Sequence, residues 1–329
     1  MTLNFALLGA GRIGKTHAKA ISDNQDAHLT VVADAVDTAA QSIADHYDCA
    51  VSTADEIADD PGIDAVVICT PTNTHADLIE QFARAGKAIF CEKPIDLSLE
   101  RVKACLAVVE ETGAKLMIGF NRRFDPHFAG VRKAIDDGTI GDVEMVHITS
   151  RDPGAPPADY IKVSGGIFRD MTIHDFDMAR FLLGEEPTTV MATGSVLVDA
   201  AIGQLDDFDS VSVMMTTDSG KHATISNSRR ATYGYDQRAE VHGSKGLASA
   251  LNEHPVLVEV ANGDGYRRAP LHDFFMTRYI AAYAAEIAAF VAVIRDGASP
   301  SPSGADGLRA LELADAAVRS AREGRAVTV

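Results

Sequence analysis

The chain has 329 residues, more than one ordinary domain needs, so two domains are expected. Hydrophobic residues make up 46% and charged residues 23%, the balance of a soluble globular protein, and no apolar run approaches the roughly 18–20 residues of a membrane span. A net charge of −17 repels phosphate backbones and anionic lipid, which argues against nucleic acid and membranes as partners.

The first nine residues lack a basic region and read as a strand rather than a signal peptide. The short apolar run Phe5-Ala6-Leu7-Leu8 leads at once into Gly9-Ala10-Gly11-Arg12-Ile13-Gly14, followed by a helical pattern over 12–22. A second β-rich run, 29–33, ends at Asp34, twenty residues after Gly14. Strand, glycine turn, helix, strand and acid in this order form a dinucleotide-binding fingerprint. Gly9 permits the tight turn, Gly11 lets the backbone approach a pyrophosphate, and Gly14 lets the helix pack closely. The helix start offers free N–H groups and a partial positive charge to phosphate. Asp34 suits the two hydroxyls of an adenosine ribose and repels a 2′-phosphate; Ala35 and Val36 supply no arginine for one. The expected cofactor is therefore NAD.

Further along, 37–47 reads as a helix, 54–58 as a helical turn and 65–69 as a buried strand of a parallel sheet. That strand ends in Thr70-Pro71-Thr72-Asn73-Thr74-His75, before a helix over 76–85. Ligands of such sheets sit at the carboxyl ends of strands, so the loop is a candidate cofactor contact; His75 fits equally as a helix-start residue. The strand 88–91 ends in Glu92-Lys93-Pro94, which places Lys93 where a nicotinamide should lie. A helix over 98–112 carries Leu99, Val102, Leu106 and Val109 in register, and the strand 116–120 precedes Asn121-Arg122. The cofactor set is thus Gly9, Gly11, Arg12, Ile13, Gly14, Asp34, Thr70, Pro71, Asn73, His75, Glu92, Lys93 and Asn121. The first domain is expected to span 1–122 and the second 123–329.

The second half changes character. After a helix over 126–136 come strand patterns at 143–149, 190–198, 210–217, 222–228, 238–242 and 257–260. Their alternation suits a mostly antiparallel sheet with helices on one face. The expected fold is an α/β Rossmann domain with a parallel sheet, followed by an α+β domain with an open, mostly antiparallel sheet. A long Ala-rich helix is expected over 274–294 and another over 307–321, joined by a Ser-Pro linker at 299–304.

A helix is also expected over 170–183, stopped by Gly184 and Pro187. Asp170 and His174 are four apart, so on one helix they share a face. A carboxylate beside an imidazole fixes the ring's tautomer, as a base acting on an alcohol requires, although an ordinary surface ion pair gives the same spacing. Asp177 and Arg180 read as a helix-surface pair. Cys49, Cys69, Cys91 and Cys105 include no C-x-x-C pair and read as free thiols of a reducing cytoplasm. No Cys/His cluster has metal-ligand spacing, so no metal is expected.

Taken together, Gly9–Gly14, Glu92-Lys93-Pro94 and the Asp170/His174 pair resemble the family of glucose–fructose oxidoreductase and inositol dehydrogenase. Four runs, at 119–126, 150–153, 159–171 and 227–238, resemble its bacterial inositol 2-dehydrogenase branch. The resemblance implies NAD-dependent oxidation of myo-inositol to its 2-keto product, with Lys93, Asp170 and His174 as the catalytic group. It also implies Arg123, Tyr235 and Asp152 near the polyol. From the residues alone, salt bridging for Arg123 and Asp152 and loop packing for Tyr235 stay open. The resemblance implies a homotetramer, consistent with an open sheet face that another subunit would cover. Two other readings share the scaffold: a dehydrogenase of scyllo-inositol or another sugar, and a non-catalytic NAD sensor, which would need neither Lys93 nor His174.

Overall fold

The computed structural model describes residues 2–329, which form two compact units. The first contains the chain through Phe124 together with Ile280–Leu311, and the second contains Asp125–Tyr279 and Glu312–Val329.

The first unit is built on six parallel strands, in the order Ala50–Val51, Ala27–Ala33, Leu3–Leu8, Ala65–Ile68, Ala88–Glu92 and Leu116–Gly119. This is the doubly wound dinucleotide-binding order. Phe5–Leu8, Ala65–Ile68 and Ala88–Cys91 are buried on both faces, hence their unbroken apolar runs. Register then decides where the site lies. Leu8 stands opposite Ala33 and Ile68, and Ile68 opposite Cys91. The residues that follow, Gly9, Asp34, Cys69–Thr70 and Glu92–Lys93, therefore share one edge of the sheet. Helices Arg12–Ser22, Asp37–Tyr47, His75–Arg84 and Leu99–Thr112 connect the strands. The last is capped by Ser98, whose hydroxyl accepts the Arg101 N–H, and ends at Gly113 with φ +66°.

Two expectations change here. The Ser-Pro stretch is no loose linker: Ser303 pairs with Met117, and the Pro302 carbonyl accepts the Ile118 N–H at 2.9 Å. It satisfies the otherwise open edge of the Leu116–Gly119 strand. The Ala-rich helix is two segments, Phe275–Arg278 and Ile280–Arg295, because Tyr279 leaves the helical region at φ −109°, ψ 22°. Its buried ring is fixed by edge contact with Tyr235, 5.9 Å between centroids, and lies under the Arg278 guanidinium.

The second unit holds a seven-stranded sheet, in the order Gly246–Ala250, Asp236–Gly243, Val143–Arg151, His222–Ser228, Ser210–Thr217, Pro187–Ser195 and Val327–Thr328. All neighbours are antiparallel except Val143–Arg151 with His222–Ser228. Along Ser210–Thr217, Val211, Val213, Met215 and Thr217 are buried while Ser212 and Met214 are exposed, so one face is covered and the other open. The expected strand at 257–260 lies two residues further on. Glu259–Asn262 pairs with Gly265–Arg268 across a two-residue Gly263-Asp264 turn, and Leu257 is left 95% exposed.

Helix Ile173–Leu183 packs on the Val143–Arg151 and His222–Ser228 strands and buries nine of its eleven residues. Asp177 and Arg180 are among the nine, which corrects the helix-surface reading. The Arg180 guanidinium pairs with Glu186 at 2.6 Å and lies 3.7 Å from Asp177, so its charge is compensated where it is buried. Cys69, Cys91 and Cys105 are buried free thiols, Cys49 is partly exposed, and burial pushes the Cys105 thiol up to about 12. Among the described residues no helix is long and apolar enough to cross a membrane.

Candidate active site

Gly9 has φ +98°, and a Cβ there would sit 2.6 Å from the Cys69 carbonyl. A Cβ on Gly14 would meet the Gly9 carbonyl oxygen at 1.9 Å, so these two glycines let turn, helix and neighbouring strand interlock. At Gly11, by contrast, a Cβ would meet nothing within 4 Å. Gly11 is also the N-cap of helix Arg12–Ser22, with no side chain capping it and no acid in the first turn. The helix start thus presents N–H groups toward open space, a cradle that fits a pyrophosphate. Asp34 accepts the Ala10 N–H on one carboxylate oxygen and the Val36 N–H, at 2.8 Å, on the other. A carboxylate has about four acceptor positions, so two backbone bonds leave capacity for ribose hydroxyls. NAD fits this donor and acceptor set.

The next strand end is tied together by side chains. The Thr70 and Thr74 hydroxyls are 2.7 Å apart, and the Thr74 hydroxyl donates to the Pro71 carbonyl; Asn73 is exposed. His75 opens helix His75–Arg84 with its ring only 2% exposed. Its Nδ1 lies 2.8 Å from the Pro94 carbonyl oxygen and its Nε2 2.8 Å from that of Thr70. Burial pulls the ring toward its neutral form, and the two carbonyls oppose this without overcoming it.

Glu92 and Lys93 stand side by side at the following strand end, joined to Pro94 by a cis peptide bond. Glu92 is buried, and its Oε1 lies 2.7 Å from Nε2 of His17, itself buried on the glycine-turn helix. Glu286, 0% exposed on Ile280–Arg295, lies 4.0 Å from the same ring nitrogen. Neither Glu286 oxygen has a hydrogen-bond partner among the described residues. Burial first, then the Glu92 charge, pushes the Glu286 carboxyl well above the usual carboxylate range, which favours its protonated form. Asn121 is buried in the turn after the last strand. Arg123, two residues on, donates to Asp306 at 2.9 Å. Burial works to raise the Asp306 carboxyl, but the Arg123 charge and the hydrogen bonds of Arg123 and Ser303 hold it at about 2.

The second unit holds Asp152, Asp170, His174 and Tyr235. The expected single helix under Asp170 and His174 is interrupted. Ile167–Asp170 ends before Met171–Thr172, and Ile173–Leu183 begins after them. The His174 N–H bonds to the Met171 carbonyl, and the Thr172 N–H reaches back to Ile167, so the regular ladder that would stack residues 170 and 174 is broken. Asp170 is held from two sides: Oδ1 accepts the Tyr160 hydroxyl at 2.8 Å, and Oδ2 faces the Arg229 guanidinium at 3.3 Å. Arg229 is 1% exposed, and Asp207 lies 3.9 Å from it. His174 is half-buried at the helix start, above a buried network. Asp175 accepts the Ser150 hydroxyl at 2.6 Å and the Asn227 amide at 2.8 Å, while the Thr172 hydroxyl donates to Asn227 at 2.7 Å. Tyr235 is buried against Phe274 and Tyr279, and the Asp152 N–H bonds to the Ser228 carbonyl.

Sequence reasoning missed Tyr160, Arg229, Asp175, Asn227 and His17. Tyr160, Arg229 and Asn227 lie within the runs at 159–171 and 227–238; nothing local marks Asp175 or His17.

Residues 3–120 match the model of the oxidoreductase family with NAD-binding Rossmann fold, and residues 128–249 match the GFO/IDH/MocA C-terminal domain. The chain is 70% identical to an inositol 2-dehydrogenase of Rhizobium meliloti (strain 1021), over 100% of both chains. It resembles the crystal structure of a myo-inositol dehydrogenase from Corynebacterium glutamicum, with 45% identity and a TM-score of 0.97 over 100% of this chain and 99% of that one. It also resembles a scyllo-inositol dehydrogenase from Lactobacillus casei with bound NAD(H) and scyllo-inositol, with 29% identity and a TM-score of 0.92 over 100% and 99%.

Proposed function

Because the chain belongs to the GFO/IDH/MocA oxidoreductases and carries their NAD-binding Rossmann fold, we propose that it oxidises myo-inositol to 2-keto-myo-inositol with NAD. The full-length likeness to inositol 2-dehydrogenases carries this reading.

A secondary alcohol loses a hydride from carbon and a proton from oxygen. Bound NAD supplies the hydride acceptor. The hydroxyl proton is only weakly acidic and needs a base in contact. In this reading His174 takes it, and Asp170 orients the ring and stabilises the imidazolium. Tyr160 and Arg229 hold Asp170 in place for that role. Lys93 donates to the same oxygen and stabilises negative charge as it develops. A polyol carries a hydroxyl on every carbon, so discrimination rests on hydrogen bonds whose loss strands buried groups. Arg123, Asp152 and Tyr235 are assigned to them, with Arg123 held by Asp306.

The same chemistry on scyllo-inositol is the second reading, favoured by the fold shared with the Lactobacillus enzyme. A panel of inositol isomers and aldoses with NAD and NADP, followed by NADH absorbance, separates the two. Myo-inositol with NAD should give the highest kcat/KM. A higher value for scyllo-inositol selects the second reading, and no turnover on any polyol removes both. We also assign the protein to the cytoplasm and to a homotetramer. Met145, Met214 and Leu247, about half exposed, share the open face of the second unit's sheet by register, where another subunit would cover them.

A further inference from the structure

We propose that His75 and His17 are positioning residues for Lys93, clamping the turn that carries it through the residues on either side. The inference rests on Lys93 acting on the substrate oxygen. A lysine side chain is four flexible carbons ending in a point charge, so it does not place its own ammonium. Where its stem starts, and so what its ammonium can reach, is set by the backbone of residues 92–94. On one side, His17 lies 2.7 Å from the Glu92 carboxylate and ties it to the glycine-turn helix. On the other, Nδ1 of His75 lies 2.8 Å from the Pro94 carbonyl oxygen, while Nε2 reaches the Thr70 loop. Both rings are buried, and the bonds described for them go to the residues on either side of Lys93, so they act on it through its backbone. Each also links the lysine turn to a segment in the cofactor set. A single pair of histidines therefore fixes Lys93 relative to the nucleotide-holding loops.

A neutral His75 ring has a single N–H and donates to only one of the two carbonyls its nitrogens face; the clamp puts that donor at Nδ1, toward Pro94, and amide isosteres test the assignment. An asparagine amide nitrogen matches Nδ1 and keeps the bond to Pro94. A glutamine amide nitrogen matches Nε2 and moves the donor to the Thr70 carbonyl. His75→Gln should therefore lower kcat by roughly 10–100-fold, the cost of misplacing a reacting group by about an ångström. His75→Asn keeps the donor to Pro94 and should have a kcat at least about tenfold above His75→Gln. In a Lys93→Ala background, His75→Gln should cost nothing further, because a residue acting through Lys93 has nothing left to position.

Equal kcat losses in the Asn and Gln variants, or an undiminished loss in the Lys93→Ala background, overturn the proposal. If Lys93→Ala alone keeps full turnover, the catalytic reading of Lys93 has failed, a result distinct from either. Should His75→Gln not fold, His17→Asn carries the same cycle, since its amide matches Nδ1 and loses Glu92. It too should lower kcat in the parent chain and add nothing in the Lys93→Ala background, and an additive loss refutes the clamp.

Discussion

Asp34 has two tasks, and replacing it with Asn separates them. Its carboxylate accepts the Ala10 and Val36 N–H groups, which builds the glycine turn. In our reading it also selects NAD over NADP. Asparagine keeps one acceptor oxygen but turns an amide toward the second backbone N–H. One backbone donor then loses its partner, at about 1–3 kcal/mol of stability. Selectivity changes by a different route. NAD loses hydrogen bonding to a charged acceptor, about 1.5–3 kcal/mol. NADP is relieved of a carboxylate facing a phosphate of nearly two charges, about 2 kcal/mol at 4 Å in water. At about 1.4 kcal/mol per tenfold, the ratio of kcat/KM for NAD over NADP should fall by roughly 10²–10⁴. The assay is initial-rate NAD(P)H absorbance at saturating polyol, with a thermal melt of the cofactor-free protein to register the turn. If the melt drops and both cofactors lose efficiency equally, Asp34 is a turn anchor only and the selectivity argument is wrong.

His174→Ala should lower turnover by about 10²–10⁴ if the ring is the base. The ring is half-buried at a helix start, so the melting temperature should change little, and normal turnover in a folded variant would remove His174 from the mechanism. Glu286→Gln tests the buried carboxyl beneath Glu92. The folded protein holds this proton more tightly than the unfolded chain, so wild-type stability falls as pH rises from the usual carboxylate pKa toward the raised folded value, by up to about 1.4 kcal/mol per pH unit. Below that window the group is protonated in both states, so stability is highest there and no longer changes with pH through this group. Urea titrations from pH 5 to 8 should show this decline in the wild type and less of it in Glu286→Gln, and parallel slopes would mean Glu286 is ionised in the fold.

What could be read from the sequence was what a short stretch of chain settles by itself. The glycine turn was legible because its demands are local: a positive φ at Gly9 and a Cβ clash at Gly14 leave only glycine. Parallel strands were legible because burial on both faces removes polar residues from them. The break between Asp170 and His174 was not, since both flanking segments carry helical patterns. Thr172 is held by its hydroxyl bond to Asn227, fifty-five residues away. Arg180 was misplaced for a related reason: i, i+3 spacing to Asp177 looks like a solvated pair until Glu186 supplies the charge that lets it be buried. Tyr279 interrupts an Ala-rich helical pattern because its ring packs on Tyr235, forty-four positions earlier.

The same limit separates the two kinds of site residue. Gly9, Asp34 and Lys93 follow strands directly, and the register of a parallel sheet gathers strand ends on one edge, so position along the chain implies position at the site. His17, Arg229 and Asp175 act on partners 75, 59 and 25–52 residues away, and no spacing rule reaches that far. Groups proposed to touch substrate or cofactor are thus the more legible set, and the groups that hold them still are the less legible one. A variant that preserves every motif residue but loses His17 or Arg229 would look intact in sequence. It should nevertheless be slow, because placement of an ammonium or a carboxylate to within about an ångström comes from those distant partners.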